Sequence, residues 1–109
     1  MACQVHKSKV QAASHFHFWG TSNIFITMFY VYLLRSQSSP DQVYTGFTED
    51  LRQRLEDHNA GKSTHTKKCR PWEVETYLAF SDRLQALDFE RYLKTASGIA
   101  FANKRLRDR

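Results

Sequence analysis

The sequence predicts an α/β domain of the α+β kind, three strands with helices between and after them. Three observations lead there. Phe29-Tyr30-Val31-Tyr32-Leu33-Leu34 and Val43-Tyr44-Thr45-Gly46-Phe47 are β-branched and aromatic and flank Ser38-Ser39-Pro40-Asp41, so they read as a hairpin. Trp72 to Phe80 alternates well enough for a third strand. Outside these runs, apolar residues recur three or four apart, the period of a helix with one buried face.

In the first strand, alternation places Tyr30, Tyr32 and Leu34 on one face and Phe29, Val31 and Leu33 on the other. The second strand adds Tyr44, so each strand of the pair carries a phenol, and two tyrosines can share a site or simply pack. Asp50 and Gln53 form a capping pair, Leu51 and Leu55 share a face and Gly61 is a stop, giving a helix from about Glu49 to Ala60. Arg54 and His58, four apart, project from one side of it. Lys62 to Arg70 is polar and basic and ends at Pro71, as a loop or a short irregular helix.

The third strand should turn Trp72, Val74 and Thr76 to one face. Ser81 or Asp82 then caps a helix to about Lys94, with Ala86, Leu87, Phe89 and Leu93 as its inward stripe. Glu90 falls within that stripe, so its carboxylate is expected to be paired, protonated or bound to a metal. Ser97-Gly98 is expected to break the helix. A last helix from about Ile99 carries Phe101 and Leu106 inward and Asn103 along its length, and ends in a basic tail.

The 109 residues suffice for one small domain. Sixteen Lys and Arg against 11 Asp and Glu give a net charge of +5, and a pI near 9.4 favours a polyanionic partner such as nucleic acid. Cys3 and Cys69 are too few and too far apart for a disulfide framework or a CxxC knuckle, which suits a cytoplasmic protein. The apolar run from Ile24 to Leu34 is shorter than the ~20 residues a membrane span needs. Residues 1–27 show no sustained period and no secretory signal, and read as a poorly ordered extension or one not native to the domain at 28–109. Their His15 and His17 lack the further ligands of a metal site.

Taken together, Tyr32, Tyr44-Thr45-Gly46, Arg54, His58-Asn59-Ala60-Gly61-Lys62, Thr66-Lys67, Arg70-Pro71-Trp72 and Phe89-Glu90-Arg91-Tyr92-Leu93-Lys94 resemble the GIY-YIG nuclease superfamily. Val31-Tyr32-Leu33 stands for Gly-Ile-Tyr in a relaxed form and Tyr44-Thr45-Gly46 for Tyr-Ile-Gly. The set is similar to the small stand-alone bacterial members and to the UvrC nuclease domain, over residues 28 to about 107. The resemblance implies a small three-stranded antiparallel sheet flanked by helices.

It also implies a Mg²⁺-dependent (or Mn²⁺-dependent) endonuclease acting on DNA, branched or flapped DNA included. Tyr32 and Tyr44 would be the paired tyrosines, Arg54 the arginine on the phosphate, His58 a base or relay, and Glu90 the only protein ligand of the metal. Gly46 and Asn103 would support them. Phosphate-contact candidates are Arg52, Lys62, Lys67, Lys68 and Arg70.

Two departures stand out. Phe47 replaces a lysine of some relatives, whose charge would be lost or moved to Lys62 or Lys67. Ile99 replaces a basic residue. Larger members attach a DNA-binding or partner domain, and none is expected here. The rival readings are a nucleic-acid-binding module that does not cut and a protein-interaction domain using Phe16, Phe18 and Trp19.

Overall fold

The computed structural model describes residues 27–107. The proposed extension, with His15, His17 and its aromatic cluster, therefore lies outside the described residues apart from Thr27. The elements are β1 (Phe29–Ser36), β2 (Val43–Thr48), α1 (Leu51–Asn59), a 3₁₀ turn (Lys67–Cys69), β3 (Trp72–Phe80), α2 (Arg83–Tyr92) and α3 (Ala96–Arg105). The strands form one antiparallel sheet in the order β2-β1-β3.

β1 is the central strand, and Tyr30 to Leu34 are buried on both of its faces. Tyr30, Tyr32 and Leu34 cluster with Leu51, Trp72 and Val74. Val31 and Leu33 cluster with Ala86, Leu93 and Ala102. The first set seats α1 on one face of the sheet, and the second seats α2 and α3 on the other. The helix starts are capped as their sequences ask: Asp50 accepts from the Gln53 amide and Asp82 from the Gln85 amide.

Three expectations are corrected. In β3, Leu33 pairs with Thr76 but Leu34 with Val74, so Glu75 is the extra residue of a bulge. Thr76 is thereby turned away from the face of Trp72 and Val74, and its hydroxyl donates to the Leu106 carbonyl at the end of α3. The last helix begins at Ala96, with Thr95 as its cap accepting from the Gly98 amide. Ser97 and Gly98 thus form its first turn, and the break falls at Leu93 to Thr95. Finally, α3 buries Gly98 and Ala102, four apart, instead of Phe101. Small residues let the helix lie close, and Phe101, one step round, is left at the rim against Phe89 and Tyr92.

No helix among the described residues is long and apolar enough to cross a membrane.

Candidate active site

The hairpin register places Tyr32 opposite Gly46 and Tyr44 opposite Leu34. The two phenols are therefore diagonal neighbours on one face, with ring centroids 6.3 Å apart. Gly46 is required by this contact. A Cβ there would fall against the Tyr32 hydroxyl, inside any real contact distance. The phenol of Tyr32 lies across β2 because β2 has no side chain at that point.

α1 brings the other partners. Arg54 and His58 leave it one turn apart, toward Tyr32. Arg54 Nε donates to the Tyr32 hydroxyl at 3.3 Å, and His58 Nε2 is 2.8 Å from the same oxygen. The His58 ring also stands edge-on to Tyr44, with centroids 5.0 Å apart. Immediately after His58 the helix stops. The Gly61 amide bonds to the His58 carbonyl and the Lys62 amide to the Asp57 carbonyl, with Gly61 at φ 81°, a Schellman ending. The chain doubles back, and Thr66 Oγ1 comes to 2.7 Å from His58 Nδ1. Both ring nitrogens of a fully buried histidine are thus occupied.

Burial sets the protonation states. The Tyr32 phenol, 1% exposed, is pushed up to about 12, chiefly by desolvation, with the Arg54 bond opposing. His58 is lowered to about 4 by desolvation first and the Arg54 charge second. At neutral pH this is a neutral phenol, a neutral imidazole and a guanidinium.

Glu90 stands apart from this cluster, on the helix over the sheet's other face. Its carboxylate is mostly buried, 18% exposed, and paired with Lys94 Nζ at 2.6 Å, which meets the expectation of a partner for a charge in the stripe. Its charge is felt at Tyr32, as the smallest of the influences raising that phenol. Asn103 is on the exposed side of α3, where it lines a cleft of about 670 Å³ together with Tyr44, Thr45, Lys94 and Arg107. Tyr44 is half-buried and faces both the cluster and the cleft.

Arg52, Lys62, Lys67, Lys68 and Arg70 are all exposed. Lys62 lies 3.5 Å from the Asp57 carboxylate, and Arg70 Nε donates to the Lys67 carbonyl. The cation found over the Phe47 ring is Arg83, 5.5 Å from its centroid.

Two features escaped sequence reasoning. Thr66 belongs to the set that carries the family resemblance, but no role attaches to it there; the available signal is that a buried histidine needs a partner at each nitrogen. The other is the Glu75 carboxylate, which holds Arg35 Nε at 2.9 Å and Arg107 Nη1 at 3.1 Å beside the cleft. Burial lowers the Arg107 pKa, with the Glu75 bond opposing.

Residues 28–104 match the family model described as the GIY-YIG catalytic domain. A UPF0213 protein of Lactiplantibacillus plantarum is 37% identical over 75 residues, 66% of this chain and 70% of that protein. Another from Cupriavidus pinatubonensis is 34% identical, over 69% of this chain and 86% of that protein. The structure-specific endonuclease subunit slx1 of Talaromyces marneffei is 43% identical over 65 residues, but the chain spans only 17% of its length. Among solved structures, the UPF0213 protein of Bacillus halodurans aligns over 72% of this chain at 24% identity, with a TM-score of 0.45.

Proposed function

Because the chain belongs to the GIY-YIG family of catalytic domains, we propose that it is an endonuclease hydrolysing DNA phosphodiester bonds with a divalent cation, magnesium or manganese. The observation that carries this is a single buried phenol, Tyr32, held at once by Arg54 and His58 with Tyr44 between them and the cleft. That constellation is dear to maintain. It buries polar groups that a packing surface would replace by apolar ones.

The roles follow from accessibility. Arg54 spends its Nε on Tyr32 and also interacts with Tyr44, and its Nη side is the part of the guanidinium that would meet a phosphate, as a fork of permanent charge. Tyr44, at the cleft, is the phenol that meets the attacking water. Tyr32 is too buried, and too reluctant to ionise, for that task, and instead anchors Arg54. Glu90 would hold the cation, since magnesium takes one or two carboxylates and completes its shell with waters and phosphate oxygens. A bound cation supplies charge neutralisation at the phosphate and the leaving oxygen. Lys94, now on that carboxylate, sits at the cleft as a further phosphate contact.

The fungal relatives are named structure-specific endonuclease subunits. A preference for branched or flapped DNA, and work in repair or recombination, are part of the proposal for this chain. The test incubates labelled single-stranded, duplex, flapped and branched DNA with the protein in Mg²⁺ and in EDTA, beside Glu90→Ala and Tyr32→Phe. Products that require metal and disappear with Glu90→Ala support the enzyme. Salt-sensitive retardation without cleavage by all three proteins would replace it with a binding module.

A further inference from the structure

The hydrogen bonds around His58 form a chain of four groups running from Arg54 through Tyr32 and His58 to Thr66. Its direction is fixed at one end, because a guanidinium can only donate. Arg54 Nε–H therefore donates to the Tyr32 oxygen, and the Tyr32 proton is free to point to His58 Nε2, which then carries none. A neutral imidazole in that state bears its proton on Nδ1, and Nδ1 faces the Thr66 hydroxyl at 2.7 Å. Thr66 Oγ1 is placed to accept it.

We propose that Thr66 is a positioning residue that holds His58 in its Nδ1-protonated tautomer, so that the Tyr32 hydroxyl points away from the cleft and keeps its oxygen turned to Arg54. Without an acceptor at that place, a buried Nδ1–H would go unsatisfied, a cost of about 1–3 kcal/mol, enough to move the tautomer equilibrium. His58 would then protonate Nε2 and donate to Tyr32, whose own proton would be driven toward Tyr44 and the phosphate. The fork of Arg54 would lose the anchor that aims it.

The surroundings of Thr66 are built to keep it in place. It is fully buried. Its carbonyl accepts from the Trp72 indole N–H at 2.7 Å and its amide donates to the Ser63 carbonyl. The backbone of Trp72 is in turn clamped by the Asn59 amide side chain, which accepts from its N–H and donates to its carbonyl. Asn59 follows His58 directly, so one turn of α1 positions the imidazole and its acceptor together. A basic loop with no further duty would not need a buried hydroxyl at its centre.

The inference rests on the nuclease reading for its kinetic consequence, but the tautomer can be measured without any reaction. Long-range ¹H–¹⁵N spectra of the full chain at neutral pH should show His58 protonated at Nδ1. Thr66→Val, which removes the hydroxyl and keeps the shape, should shift His58 to the Nε2-protonated form and lower kcat about tenfold or more with KM little changed. Thr66→Ser should restore both.

A parent His58 protonated at Nε2 would overturn the proposal, as would Thr66→Val with the parent's tautomer and kcat. If Thr66→Val fails to fold, the parent spectrum and the Thr66→Ser variant decide. A parent with the expected tautomer that cuts no DNA would sink the nuclease reading and leave the positioning role standing.

Discussion

The two faces of β1 are equally buried and differently composed. Toward α2 and α3 the strand presents Val31 and Leu33 to Ala86, Leu93 and Ala102, an apolar contact with no chemistry in it. Toward α1 it presents Tyr32 to His58, with Thr66 behind, and all three side chains are almost wholly inaccessible. Hydrophobic burial of the first kind stabilises without direction, at roughly 25 cal/mol per Å². Burial of the second kind stabilises little in net terms, since each hydrogen bond replaces one with water, but it fixes where every proton points. One side of the strand is packing alone, and the other joins packing through Leu34, Leu51, Trp72 and Val74 to a site held in register. The two should come apart under mutation.

The largest effect is expected on the apolar side. Leu33→Ala removes a side chain with no exposure and should lower unfolding stability by about 2–5 kcal/mol. Well below its melting temperature the variant should cut DNA at nearly the parental rate. Denaturant unfolding beside single-turnover cleavage checks this, and a collapse of cleavage in a variant still fully folded would deny the division of labour.

Arg54→Lys makes the opposite case. A lysine keeps the charge but loses the fork and the Nε that anchors on Tyr32. Cleavage should fall about 10²–10³-fold, the scale of losing one preorganised donor to transition-state charge. Stability should change by only ~1 kcal/mol, the worth of one hydrogen bond. Equal damage to both quantities would mean that Arg54 is structural.

Acid should find the polar side first. His58 has its pKa lowered to about 4 in the fold, against about 6.5 unfolded. Above pH 6.5 neither state is protonated there, and the histidine adds no pH dependence. As pH falls from 6.5 toward 4 the unfolded chain takes up the proton and the folded one resists, so stability declines, by about 3 kcal/mol at full extent. Urea titrations of the parent and His58→Gln at pH 7.5, 6 and 4.5 isolate this contribution. Parallel losses in the two proteins would show that His58 is not held neutral by burial.

Much of this division is legible in the sequence. Alternation along Tyr30 to Leu34 assigns the faces even though both are buried. Arg54 and His58 at helical spacing share one side of α1, and it is the family resemblance that joins that side to Tyr32, where both are found. The Glu90 carboxylate was expected to need a partner and has one in Lys94. What the sequence hides is set by contacts distant along the chain. Thr76 changes faces because a bulge at Glu75 interrupts the period of two. Phe101 yields to Ala102 because the approach of α3, begun by Gly98, leaves room only for small residues. Thr66 carries no periodic mark, since its role depends on a backbone reversal at Gly61 that returns the loop to His58.

The smallest effect concerns the exposed basic side chains, which belong to neither face. Lys67 and Lys68 stand on the 3₁₀ turn that follows Thr66, outside the buried network. Their removal leaves no cavity and no buried group without a partner, so Lys67→Ala with Lys68→Ala should alter stability by less than ~0.5 kcal/mol per site. If the turn lies along the phosphate backbone, each lysine neutralises one phosphate, and the slope of log affinity against log salt on duplex DNA should become shallower by about 0.9 per residue. Affinity at low salt should fall while kcat on bound substrate stays the same, because neither side chain touches Arg54 or Tyr44. An unchanged slope would mean that DNA approaches by the cleft between Tyr44 and Lys94 alone, and that the loop exists to carry Thr66.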